Sequence, residues 1–219
     1  KVVAEKDADA KIYPASMTKI MTAIVALEAF SDLDHEITLS ENIFYALDGQ
    51  DATQAGFQPG ESVRVRDLVY GVMLPSGAEC CLALADEVSG SEEAFVEKMN
   101  QRSAGLGMTN THFVNCNGLD TEGHLTTARD IALMSRELIT KYPQIEDYST
   151  IWMENITHQT ARGSFEFGLT NTNKLIRQYE YATGLKTGST SGAKFCLSAT
   201  ARKDGVNMIA VVMAEPDSK

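Results

Sequence analysis

Two short segments hold residue types that can do chemistry together. Ser16-Met17-Thr18-Lys19 opens an apolar-periodic run near the start of the chain, and Lys186-Thr187-Gly188-Ser189 stands near its end. On a helix, a serine three positions before a lysine shares its face, one turn away. The amine then reaches a hydroxyl that must lose its proton before it can attack a carbonyl. A second lysine, on a strand beside a glycine, can hold a substrate carboxylate against that serine. Neither segment is specific alone. Ser-x-x-Lys arises by chance about once in a chain of this length, and a second copy, Ser191-Gly192-Ala193-Lys194, is present. In isolation Lys19 reads as a solvated helix lysine, and Ser76 as a cap after Pro75. Order, separation and local context carry the weight.

The elements that must position these residues are legible in outline. Pro14 suits a first helical residue, and behind it Ile20, Ala23, Ile24 and Leu27 repeat at helical spacing. Ser16 and Lys19 then fall in the first two turns, where unsatisfied N–H groups favour negative charge. Residues 67–74 read as a helix that stops before Pro75, and residues 78–88 as a buried helix. Ser91 caps the next helix, which ends at Gly105-Leu106-Gly107. Thr127-Ala128-Arg129-Asp130 resembles a capping box, with Ile131, Met134 and Leu138 as the inner stripe. Residues 110–125 read as an ordered loop. Toward the C-terminus, residues 185–190, 194–201 and 207–214 read as strands, the last two joined by Asp204-Gly205, a strong two-residue turn signal. Val2-Val3-Ala4 is a short strand candidate that must rejoin this sheet, and residues 7–11 read as a turn. The chain is therefore expected to be α+β, an antiparallel meander with a helical block.

Composition narrows the function classes. The chain has 219 residues, 43% of them hydrophobic, enough for one large domain or two close lobes. A net charge of −11 argues against nucleic acid and against a polybasic membrane-surface patch. No apolar run approaches the length of a membrane-spanning helix. Lys1 falls inside what reads as a strand, so the chain is read as a processed or trimmed piece, and the missing signal peptide says nothing about compartment. Cys80, Cys81, Cys116 and Cys196 form no C-x-x-C pair, and no histidine spacing suits zinc. The plain reading is free or buried thiols; a disulfide from Cys116 to a helix cysteine stays open. No cofactor and no metal are expected.

Further segments, in order, resemble those of one family. Pro14-Ala15-Ser16-Met17-Thr18-Lys19-Ile20-Met21-Thr22-Ala23 looks like the active-serine segment of the D-alanyl-D-alanine carboxypeptidases, the low-molecular-mass penicillin-binding proteins of peptidase family S11. Val65-Arg66-Asp67-Leu68, Pro75-Ser76-Gly77, Thr111-His112-Phe113, Asn117-Gly118-Leu119, Thr126-Thr127-Ala128-Arg129-Asp130, the Asn171-to-Leu175 stretch and Gly184-Leu185-Lys186-Thr187-Gly188 follow the same pattern. The resemblance covers nearly the whole chain. It implies a serine β-lactamase/transpeptidase-like fold in one catalytic domain over 1–219, with residues 1–30 and 150–219 in a sheet-containing lobe and 31–149 in a mainly helical lobe.

The resemblance also implies roles. Ser16 is the acylated nucleophile, Lys19 its base, and Ser76 a proton relay to the leaving D-alanine. Lys186 and Thr187 hold the terminal carboxylate, Gly188 admits the substrate backbone, and the N–H groups of Ser16 and Ser189 form the oxyanion hole. One departure stands out: the family's usual Ser-x-Asn is here Ser76-Gly77-Ala78, and alanine cannot hydrogen-bond a substrate peptide. His112 and His124 are expected to make structural hydrogen bonds rather than bind metal, and Asn173 either faces the cleft or caps the following turn. The partners implied are a peptidoglycan stem peptide ending in D-Ala-D-Ala and β-lactams as covalent inhibitors, outside the cytoplasmic membrane. Membrane association would come only through segments absent from the chain. The alternatives are a catalytically weak penicillin- or muropeptide-binding module, favoured by Ala78, and a serine β-lactamase, disfavoured because no Glu-x-x-x-Asn segment is placed to activate a deacylating water.

Overall fold

Pro14, with φ near −74°, leads into a single 3-10 turn at Ala15–Met17 that runs directly into helix α1, Thr18–Ala29. The structure, a computed structural model, describes residues 1–160 and 162–217. Helix α1 is the axis of the molecule. The sequence stripe Ile20, Ala23, Ile24 and Leu27 marks only one side of it; Met21, Thr22, Val25 and Ala26 are buried as well. A helix buried all round must be surrounded, and α3, α4, α5 and α6 pack around it.

The surrounding elements follow in order. Strand β1, Glu36–Thr38, pairs antiparallel with β2, Ser62–Arg64, and short helix α2, Glu41–Tyr45, lies between them in sequence. Helices α3, Val65–Met73, and α4, Ala78–Ser89, are separated by the four residues that include Ser76. Helix α5, Glu92–Gly105, begins as expected: Ser91 Oγ accepts the Ala94 N–H at 3.2 Å. Helix α6, Ala128–Lys141, has half a capping box. Thr127 Oγ1 accepts the Asp130 N–H at 3.1 Å, but Asp130 turns to the Asn110 N–H and the Thr111 hydroxyl, which fastens the loop before it.

The last part is sheet. After helix α7, Glu146–Ser149, strands β3, Met153–Thr160, and β4, Gly163–Thr170, form an antiparallel hairpin that the sequence reading did not anticipate. Its buried positions alternate poorly in hydrophobicity, with His158 inside beside Ile156. Helix α8, Leu175–Gln178, precedes the meander β5, Ala182–Thr190, β6, Lys194–Lys203, and β7, Val206–Glu215, in spatial order β5-β6-β7. Asp204 and Gly205, with φ of 50° and 77°, make the expected tight turn.

One expectation needs correction. Val2, Val3 and Ala4 form no strand; Val2 and Val3 lie exposed, and among the described residues no strand pairs with the outer edge of β7. The N-terminal segment is held elsewhere: Ile12 bridges Thr126, and Glu5 and Asp9 pair with Arg129. The small β1–β2 ribbon lies within the stretch read as mainly helical. In β6 the apolar alternation of Phe195, Leu197, Ala199 and Ala201 marks the more open face. The buried face is Cys196, Ser198 and Thr200, because it meets α6, where Ser198 and Ser135 share a buried hydrogen bond at 2.8 Å. All four cysteines are free and buried.

Candidate active site

Ser16 sits in the 3-10 turn and Lys19 at the second residue of α1, so the i, i+3 spacing closes across the junction. Lys19 is buried to 3% exposure, not solvated. Its Nζ lies 3.1 Å from Ser16 Oγ and donates to the Asn117 carbonyl at 2.5 Å. The backbone here is forced. Ala15 has φ of 48°, and Gly118 lies so near that a Cβ there would come within 2.0 Å of the Ala15 carbonyl oxygen. Asn117-Gly118 thus serves the site twice, with a carbonyl for Lys19 and a bare backbone under the nucleophile turn.

His124 supports the same turn. Its Nδ1 accepts the Val114 N–H at 2.8 Å, which leaves Nε2 to donate to Thr18 Oγ1, also at 2.8 Å. Burial pushes its pKa down to about 4, as that neutral tautomer requires. The expected structural role for His124 is met; His112 contributes backbone bonds to Leu125.

A second Ser–Lys pair faces the first. Ser76 lies two residues before α4, buried, with φ of 71°. It caps no helix: Gly77 is the N-cap position. Its Oγ instead accepts from Lys186 Nζ at 3.0 Å, and the same amine donates to the Thr187 carbonyl at 3.0 Å. Lys186 is 1% exposed on β5, and burial, then the nearby Lys19 charge, brings its pKa down to about 7. Gly188, two residues on, packs against Ser16: a Cβ there would meet the Ser16 nitrogen at 3.0 Å. This close approach is what joins the two pairs.

Thr187 is half-buried and shares a 2.5 Å hydrogen bond with Thr172, while Ser189 is exposed. Thr172 was not picked out by the sequence reading; its signal was only its place between Asn171 and Asn173. Those two asparagines serve the loop. Asn171 Oδ1 accepts the Asn173 N–H and Asn173 Oδ1 the Leu175 N–H, so Asn173 caps the following turn. Ser191 and Lys194 of the other Ser-x-x-Lys lie exposed at the β5–β6 turn. The arrangement brings a nucleophilic hydroxyl, two buried amines and a second hydroxyl together at one strand, a set suited to acyl transfer.

The D-alanyl-D-alanine carboxypeptidase family, peptidase S11, matches residues 1–217. The chain belongs to this family. Among S11 relatives, the D-alanyl-D-alanine carboxypeptidase DacF of Bacillus subtilis is 37% identical over 223 residues, covering 100% of this chain and 55% of that protein. DacC of Escherichia coli is 37% identical over 225 residues, covering 97% of this chain and 53% of its own. The S11 chain therefore spans about half the length of these curated relatives. Among solved structures, the Streptomyces K15 DD-transpeptidase superposes with a TM-score of 0.90 at 33% identity, covering 96% of this chain and 84% of its own. The carboxypeptidase DacD of Francisella tularensis gives 0.88 at 28% identity, covering 99% and 63%. The transpeptidase-like α+β fold is that of the family. Among the described residues, no helix is long and apolar enough to cross a membrane.

Proposed function

We propose that this chain is the catalytic domain of a serine D,D-carboxypeptidase that removes the terminal D-alanine from peptidoglycan stem peptides through an acyl-enzyme at Ser16. The observation that carries this reading is the buried Lys19 amine within hydrogen-bond reach of Ser16 Oγ, beside a second amine on β5. In its neutral form Lys19 takes the Ser16 proton as Oγ bonds to the carbonyl carbon of the penultimate residue. The oxyanion forms at the N–H groups of Ser16 and Ser189, the first at the start of a helix whose dipole favours it. The C–N bond to D-alanine then breaks, and the leaving amine takes its proton through Ser76, which Lys186 holds. Water hydrolyses the ester.

Lys186 and Thr187 bind the substrate's terminal carboxylate, and Gly188 leaves room for its backbone beside β5. A β-lactam occupies the same place and stays on Ser16 because its leaving group remains tethered. Such stem peptides lie outside the cytoplasmic membrane, so the enzyme acts there. Residues 1–219 act as one domain with the nucleophile on the helical axis and the carboxylate site on the sheet. The test is D-alanine release from a synthetic pentapeptide ending in D-Ala-D-Ala. Release by the native chain and none by Ser16→Ala is expected; equal release by both would overturn the reading.

A further inference from the structure

Ser76 is a non-glycine residue held in the left-handed region, a conformation that persists only where the surroundings enforce it. The enforcing contacts come from one side. The Gly77 N–H donates to the Gly71 carbonyl and the Ala78 N–H to the Thr53 carbonyl, both at 2.8 Å. Gly77 itself lies flush against the loop at residues 53–56: a Cβ there would meet the Ala55 Cβ at 2.8 Å and the Ala55 nitrogen at 3.0 Å. The loop is clasped by Glu79, the second residue of α4. One carboxylate oxygen of Glu79 accepts the N–H groups of both Ala55, at 2.6 Å, and Gly56, at 2.9 Å. Glu79 is wholly buried, and its other oxygen has no partner among the described residues. A carboxylate at that depth is costly to bury, and the two N–H bonds to one of its oxygens offset part of that cost. The far end of the same loop is anchored by Phe57, buried against His158 and Phe167 of the β3–β4 hairpin.

We propose that Glu79 is a positioning residue for the reaction: by holding residues 53–56 against the start of α4, it keeps Ser76 in the left-handed conformation that aims its hydroxyl at Lys186. The proposal rests on the role given to Ser76 above. It assigns a function to the acidic side chain that follows Ala78, which does not enter the space an asparagine would fill at that position but turns away to the loop. Burial pushes the Glu79 carboxyl above its ordinary range, against the pull of the backbone N–H groups around it, those of Gly56 and Ala55 among them.

A double-mutant cycle tests it. The second-order rate of Ser16 acylation by a fluorescent penicillin is measured for the native chain, Glu79→Ala, Ser76→Ala and the double variant, at a temperature where circular dichroism finds each folded. Glu79→Ala is expected to slow acylation by about 10- to 100-fold when Ser76 is present and by no more than about threefold when it is absent. Glu79→Gln, which keeps an acceptor oxygen in place, is expected to recover most of the loss. Should Glu79→Ala fail to fold, Glu79→Gln carries the same cycle with a smaller loss. Equal losses in both Ser76 backgrounds, or an unchanged rate in a folded Glu79→Ala protein, would overturn the proposal while leaving the Ser76 reading intact. An unchanged rate in Ser76→Ala alone would overturn both.

Discussion

The two Ser–Lys pairs that meet at β5 are built in opposite ways. Ser16 and Lys19 are three residues apart, at one helix start, and their contact follows from helical geometry once the turn forms. Ser76 and Lys186 lie 110 residues apart, one in a strained loop and the other on a strand. The first pair is local and its tertiary context adds burial. The second exists only because α4, residues 53–56 and β5 are packed together. A local pair tolerates change in its surroundings; an assembled pair inherits every weakness of the elements that carry it.

The largest effect is expected at Ser16. Ser16→Ala should abolish penicillin acylation, a loss of roughly 10⁴- to 10⁶-fold. Intact-mass analysis of the native chain should give one adduct, and peptide mapping should place it on Ser16. An adduct on Ser191, the exposed serine of the other Ser-x-x-Lys, would show that burial and the Asn117 carbonyl do not select the site.

That contrast also governs how much the sequence discloses. The Ser16–Lys19 relation was readable because both residues belong to one periodic segment. The order of motifs placed Ser76 and Lys186 in one site, but nothing local in Pro75-Ser76-Gly77 announced a left-handed serine. The β3–β4 hairpin escaped notice because its inward positions include His158, paired with the carboxylate of buried Glu61. In β6 the apolar side of the alternation is not the buried one. Its tight face, Cys196, Ser198 and Thr200, is small and satisfied by hydrogen bonds, while its apolar face is the open one. Val2-Val3-Ala4 has strand-forming residues but no partner strand among the described residues.

A second, smaller effect should separate the roles of the two lysines. Lys186→Ala should lose roughly 10- to 100-fold in kcat/KM on a peptide with a free terminal carboxylate and keep more on its amidated analogue. Equal losses on both would make Lys186 structural. The pH profile gives an independent view. The pKa of Lys186 is lowered to about 7, so its amine is charged below that pH and neutral above it. A carboxylate ligand pairs with the charged form. Relative to the amide, kcat/KM for the acid should therefore hold below about pH 7 and fall above it, because whatever pH dependence the Lys19 base imposes is common to both substrates. An acid-to-amide ratio that stays flat to about pH 9 would show that the carboxylate is held by other groups.

The smallest effect is expected where the chain departs from its family. Ala78 is buried at the first turn of α4, and its N–H is committed to Thr53, so the backbone there is fixed and only the side chain is in question. Neither neighbour supplies the missing amide. Glu79 is engaged by Ala55 and Gly56, and Cys80 is turned toward Gly71, where its sulfur would lie 2.3 Å from an added Cβ. Neither side chain that follows Ala78 stands in for an asparagine amide. Restoring one adds a hydrogen bond worth about 1 kcal/mol, or somewhat more when one partner is charged. Ala78→Asn is thus expected to raise the second-order rate of Ser16 acylation by roughly tenfold, with the same melting temperature to within a few degrees. Both proteins are compared at one pH with the same β-lactam. A slower rate in a folded variant would mean that the first turn of α4 has closed around alanine. The weight would then move to Glu79 and its loop as the feature that sets how this site handles substrate, because the same backbone that leaves no room for asparagine is the one Glu79 holds in place.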